Sequence, residues 1–125
     1  MVKRGMYSIV ATALGAAVLA GTAVANDRDV ERAGTCTRGS AVKVKLSDED
    51  GRIEVEVEVD QNRNGVRWTV ALYRNGTFAG RRVRVTRGPS GSFEARFVTR
   101  NGAGADRFVA RASRVGERCT LGAAF

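Results

Sequence analysis

Histidine is absent from the 125 residues, proline occurs once and cysteine twice. Without histidine the chain cannot build a Ser-His-Asp or Cys-His triad, a histidine-ligated zinc site or imidazole acid–base catalysis. Cys36 and Cys119 are the only soft metal ligands, too few for a zinc or iron–sulfur site. Acid is also in short supply: 13 Asp and Glu stand against 21 Lys and Arg, a formal charge of +8. Lysine occurs only at positions 3, 43 and 45, so the positive charge is almost all guanidinium. The length leaves room for one ordinary domain.

What is present begins with a secretory pattern. Lys3 and Arg4 form a basic n-region, residues 9–19 (IVATALGAAVL) an apolar h-region, and Ala23-Val24-Ala25 an A-x-A cleavage site. Residues 1–25 are therefore expected to be a signal peptide rather than a membrane anchor, and the cleaved form to have no membrane association. Thr22 stands where a lipoprotein box needs its cysteine, and Lys3-Arg4 is not a twin arginine. Export to the cell wall or medium makes the two cysteines meaningful, because an even pair in an oxidising compartment forms a disulfide. A Cys36–Cys119 bridge would close nearly the whole domain, and a separation of 83 residues is wrong for a redox-active C-x-x-C pair.

The rest alternates with a period of two. Val42, Val44 and Leu46 interleave with Lys43 and Lys45, and Ile53, Val55, Val57 and Val59 interleave with Glu54, Glu56 and Glu58. Further alternating runs cover 66–74, 78–86, 92–99, 107–115 and a short 118–121. No apolar repeat of 3.6 residues is long enough for a helix. Seven strands separated by Gly- and Asn-rich turns predict an all-β, antiparallel sandwich over residues 36–125. Polar residues 26–35 (NDRDVERAGT) read as a flexible leader.

Two turns predict register. Asp50-Gly51 is a favoured hairpin pair, which sets Lys45 against Glu56, Lys43 against Glu58, Leu46 against Val55 and Val44 against Val57. Charges then match on one face and apolar residues on the other. Asn75-Gly76 sets Tyr73 against Phe78, Trp68 against Val83 and Arg67 against Arg84. The same register sets Val70 against Arg81, a conflict that a bulge at Gly80 would relieve.

A sandwich with a lone tryptophan on its third strand (Trp68 in RWTVALYRNG) resembles immunoglobulin and fibronectin type III domains. Asp106-Arg107-Phe108-Val109-Ala110 is similar to the corner before their sixth strand, with Phe108 in place of a tyrosine and Ala110 in place of a cysteine. The chain also resembles short exported sandwich proteins of high-GC bacteria. The fibronectin resemblance implies strands one, two and five in one sheet and the other four in the second. Such folds carry adhesive, carbohydrate-binding, inhibitory and carrier roles alike.

Candidate chemistry is sparse. Asp60-Gln61-Asn62-Arg63-Asn64-Gly65 copies the first half of an EF-hand loop, but Ala71 stands where the closing glutamate belongs and strands flank it. Glu54, Glu56 and Glu58 form a carboxylate row on an open sheet without the cleft that glycoside chemistry needs. No enzyme, cofactor or metal is expected. The sheet surfaces differ in charge, however. With the implied strand partition, the second sheet turns Arg67, Arg82, Arg84, Arg107 and Arg111 outward beside Tyr73 and Phe78, with no acid among them. Arginine forks bind phosphate and carboxylate bidentately, and an Arg67–Arg84 like-charge pair is easier to understand with an anion across it. The expected function is a secreted, non-enzymatic binding or surface-structural module contacting an anionic cell-wall or extracellular polymer. Export makes nucleic acid an uncommon partner. The alternative is a secreted inhibitor, for which 87–91 (RGPSG) is the candidate loop, or a small-ligand carrier.

Overall fold

The computed structural model describes residues 29–102 and 104–125; the expected signal peptide lies outside the described residues. Eight strands are present: β1 (Val30–Thr35), β2 (Ala41–Glu49), β3 (Arg52–Asp60), β4 (Arg67–Arg74), β5 (Thr77–Val85), β6 (Ser92–Arg100), β7 (Arg107–Arg114) and β8 (Glu117–Ala124). They form two antiparallel four-stranded sheets, ordered β1-β2-β3-β6 and β5-β4-β7-β8. The seven expected strands divide between the sheets as the fibronectin pattern implied. The inner faces meet in one core, which Val44, Leu46, Ile53, Val55, Val57 and Val59 line from the first sheet and Trp68, Val70, Leu72, Phe108, Ala110 and Ala112 from the second. Trp68 packs 5.9 Å from Phe93 across the sandwich, and its indole N–H donates to Gln61 Oε1 at 3.0 Å.

The eighth strand is a correction. Residues 30–35 are no leader but pair along β2, from Val30 opposite Leu46 to Thr35 opposite Ala41. Their inward positions are Val30, Arg32 and Gly34, a set with only one large apolar residue, so alternation could not announce the strand. Gly34 belongs there because a Cβ would sit 3.3 Å from Leu121 Cδ1. Residues 26–28 of the expected leader lie outside the described residues.

The β2–β3 hairpin has the expected register throughout, with Lys45 opposite Glu56 and Lys43 opposite Glu58. Asp50 and Gly51 both take positive φ, 53° and 74°, as the favoured two-residue turn requires. The ion pairs cross more than one ladder. Lys43 reaches Glu58 at 3.6 Å, but Lys45 reaches Asp29 at 3.7 Å, while Arg96 on β6 joins Glu54 at 2.6 Å and Glu56 at 3.4 Å.

The β4–β5 hairpin starts as expected and then departs. Asn75 and Gly76 make the turn and Tyr73 faces Phe78, but Leu72 faces Gly80, leaving Ala79 without a counterpart. This bulge shifts every later pair by one residue. Trp68 therefore faces Arg84 instead of Val83, and Arg67 faces Val85 instead of Arg84. The conflict of Val70 with Arg81 disappears, since Arg81 now lies opposite Ala71 on the outer side.

In exchange, Arg82 and Arg84 share the inward side of an edge strand, where each is half-buried. The Arg82 guanidinium lies 4.6 Å from the Phe97 ring of the facing sheet and donates to the Arg81 carbonyl at 2.9 Å. Arg84 donates to the Val83 carbonyl at 2.8 Å. An unpaired edge is a template for another strand, and charge on it is the usual protection. These two arginines both cover the edge and occupy its acceptors. Replacing both with serine should produce concentration-dependent self-association in sedimentation velocity. Unchanged sedimentation at high concentration would refute the protective role.

Candidate anion-binding face

The outer surface of β5-β4-β7-β8 is built from alternate residues of four strands. β4 contains Trp68, Val70 and Leu72, which the core takes, so Arg67, Thr69, Ala71 and Tyr73 must point away. Ladder pairing then fixes their neighbours. Val83, Thr69, Ser113 and Arg118 form one row across the sheet, Arg81, Ala71, Arg111 and Thr120 the next, and Phe78, Tyr73, Val109 and Gly122 a third. Arg67 faces Val85 at one end and Arg107 faces Ala124 at the other.

Five arginines, Arg67, Arg81, Arg107, Arg111 and Arg118, are exposed on this surface. None has an ion pair among the described residues, and no row contains a carboxylate. The only two acids near its strand ends are turned inward. Asp106 is buried and holds Arg74 Nε at 2.9 Å, and Glu117 is buried and holds Arg114 Nε at 2.9 Å. The other sheet pairs its outward lysines and Arg96 with acids, while Arg52 and Arg100 face each other across β3 and β6 without an ion pair among the described residues.

Aromatic and apolar side chains interleave with the arginines. Tyr73 and Phe78 meet edge to face at 5.9 Å, and the Arg111 guanidinium lies 5.0 Å from the Tyr73 ring centre. Phe78 is 57% exposed and Val83 45%, on either side of Arg81 along β5.

Of the seven residues expected to bind an anion, Arg67, Arg107, Arg111, Tyr73 and Phe78 share this face. Arg82 and Arg84 do not, because the Ala79 bulge reverses the alternation of β5 beyond the hairpin tip. Arg81 and Arg118 take part and were missed. Arg81 was the residue whose inward placement conflicted with the core, and that conflict was the usable signal. Arg118 precedes Cys119, and a half-cystine pointing inward obliges its neighbour to point out.

The other candidates have ordinary structural roles. Asp60 Oδ1 accepts the Asn62 N–H at 3.1 Å and closes a turn between two strands. No group of three His, Cys, Asp or Glu residues among those described could hold a metal ion. Loop 87–91 is exposed except at Gly91, and it is tied down: Gly91 N–H donates to Arg87 O at 2.8 Å and Gln61 N–H to Gly91 O at 3.0 Å. A Cβ on Gly91, whose φ is +70°, would collide with the Arg63 backbone nitrogen.

No protein-family model matches the chain, and neither a curated protein nor a solved structure matches it. The residues of the face must therefore speak for themselves.

Proposed function

We propose that the protein is a secreted, non-enzymatic binding module of immunoglobulin-like, fibronectin type III-like architecture. Its contact site is the outer face of β5-β4-β7-β8, and its partner is an anionic polymer of the cell wall or extracellular medium. The observation that carries this reading is five exposed arginines on one sheet face without a single carboxylate among them. Five guanidinium groups with no acid among them leave that face uniformly positive, whereas Lys43, Lys45 and Arg96 on the first sheet sit in ion pairs. The disulfide fits an oxidising compartment, as does the signal-peptide pattern of residues 1–25.

Changing Arg67, Arg107 and Arg118 to glutamine should lower the salt concentration that elutes the protein from isolated cell wall and from an anionic resin. Stability should stay within about 0.5 kcal/mol, as surface changes usually do. Removing the same positive charge from the other face, at Lys43, Lys45 and Arg96, should leave retention much higher. Equal losses from both faces would reduce the effect to net charge and refute a dedicated face.

A further inference from the structure

Resting on the anion-binding reading of this face, we infer that its specific subsite lies over Ala71 and takes a tetrahedral oxyanion ester, a phosphate or a sulfate. Arg81 and Arg111 flank Ala71 in register from the two neighbouring strands. Adjacent strands lie about 4.8 Å apart, so the two arginine Cα atoms are about 10 Å apart with β4 between them. Ala71 is the smallest outward residue of β4, between Thr69 and Tyr73. The result is a saddle: a low methyl floor with a long guanidinium side chain rising on each side. Arg111 already leans over β4, since its guanidinium lies 5.0 Å from the Tyr73 ring.

The number of forks selects the ligand. A carboxylate is planar, and a single guanidinium fork takes both of its oxygens in the favoured bidentate geometry. A phosphate or sulfate ester is tetrahedral and directs terminal oxygens to both sides, so it can engage two opposed forks together. Thr120, at the end of the same row, and Thr69 and Ser113, in the next, add hydroxyl donors on the same face. The Phe78–Tyr73 pair lies one row further on, about 7 Å along the strands. Arg111 covers the tyrosine, so the exposed Phe78 ring is the apolar platform for the unit esterified to the bound oxyanion.

The bulge is what creates this arrangement. With regular pairing from Asn75-Gly76, Ala71 would face Gly80 and no second arginine would flank it. One unpaired residue, Ala79, moves Arg81 into the row.

Ala71→Glu supplies the missing anion from within. The carboxylate would lie between Arg81 and Arg111, so thermal stability should be equal or higher. Affinity for poly(glycerol phosphate) or dextran sulfate, measured by isothermal titration calorimetry at fixed salt, should fall at least about tenfold. The double variant R81Q/R111Q should lose a similar amount. The parent protein should prefer at least one of these two polymers to polygalacturonate of matched charge, and the stronger of the two names the ester. Equal affinity for the carboxylate polymer, or unchanged binding by Ala71→Glu and R81Q/R111Q, would overturn the subsite. If R67Q/R107Q/R118Q still weakened binding in that case, the anion-binding face would stand without it. No binding of any polyanion by the parent would remove the face reading itself.

Discussion

Replacing Cys36 and Cys119 with serine should lower the unfolding free energy by about 4–5 kcal/mol, the chain-entropy value for a closed loop of this size. The bond joins residues 83 apart in sequence whose Cα atoms lie 4.4 Å apart. A domain of this kind has a net stability of about 5–15 kcal/mol, so the loss removes much or all of it. Both sulfurs lie in the core, Cys36 5% and Cys119 3% exposed, and serine hydroxyls there add a desolvation cost. Guanidinium titrations of the oxidised protein, the reduced protein and the double-serine variant measure the effect. A loss below about 2 kcal/mol, the lower end for native disulfides, would mean that the unfolded chain is already compact.

The second large effect belongs to Glu117, whose carboxylate is fully buried. Oε2 accepts the Arg38 and Ser40 backbone N–H groups at 3.1 and 2.9 Å. Oε1 accepts the Ser40 hydroxyl and Arg114 Nε, both at 2.9 Å. Glu117→Ala leaves four donors without this acceptor, of which the Ser40 N–H and hydroxyl are buried. An orphaned buried partner costs about 1–3 kcal/mol, and breaking a buried ion pair about 3–5. A loss of about 3 kcal/mol is expected, read from the shift in denaturation midpoint at constant slope. A loss below about 1 kcal/mol would show that water replaces the carboxylate.

The same group sets an acid limit. Burial pushes the Glu117 carboxyl upward, but the hydrogen bonds from Ser40, Arg114 and Arg38 outweigh it and hold the group below its ordinary 4.5. A carboxyl depressed by folding stabilises the native state above its unfolded value, and that contribution is lost as pH falls through the folded one. The difference in stability between the parent and Glu117→Gln should therefore be constant above about pH 5 and shrink below it. The disulfide and Glu117 fasten the same corner, residues 36–40, to β8, so their removals should not be additive.

The β2–β3 hairpin was legible because a turn pair and two alternations, of charge and of apolar residues, all demanded one register. The β4–β5 hairpin was legible only as far as Ala79. Beyond it, Arg82, Val83, Arg84 and Val85 fit either face by composition, since each register turned two valines and two arginines in opposite directions. Packing decided in favour of placing Arg82 over Phe97, which alternation cannot express. β1 escaped notice because its inward positions are Val30, Arg32 and Gly34.

The corner before β7 was half legible. Phe108 is fully buried as a tyrosine-like residue would be, but it has no hydroxyl to fasten the corner. Asp106 does this instead: it accepts from Arg74 Nε at 2.9 Å and Asn75 Nδ2 at 3.4 Å, while Asn75 Oδ1 accepts the Arg107 N–H at 2.9 Å. Those partners are 31 and 32 residues away in sequence, beyond the reach of local pattern.

The sulfur bridge also sets the mechanical response of the chain. Tension applied through the two ends passes from Cys36 directly to Cys119, bypassing β2 to β7 entirely. Among the described residues, only β1 and the stretch of β8 beyond Cys119 can be drawn out. The 83-residue interval, about 270 Å of contour at roughly 3.3 Å per residue, remains hidden from the load. Pulled from both sides, the domain would thus yield by a short length and then act as a stop.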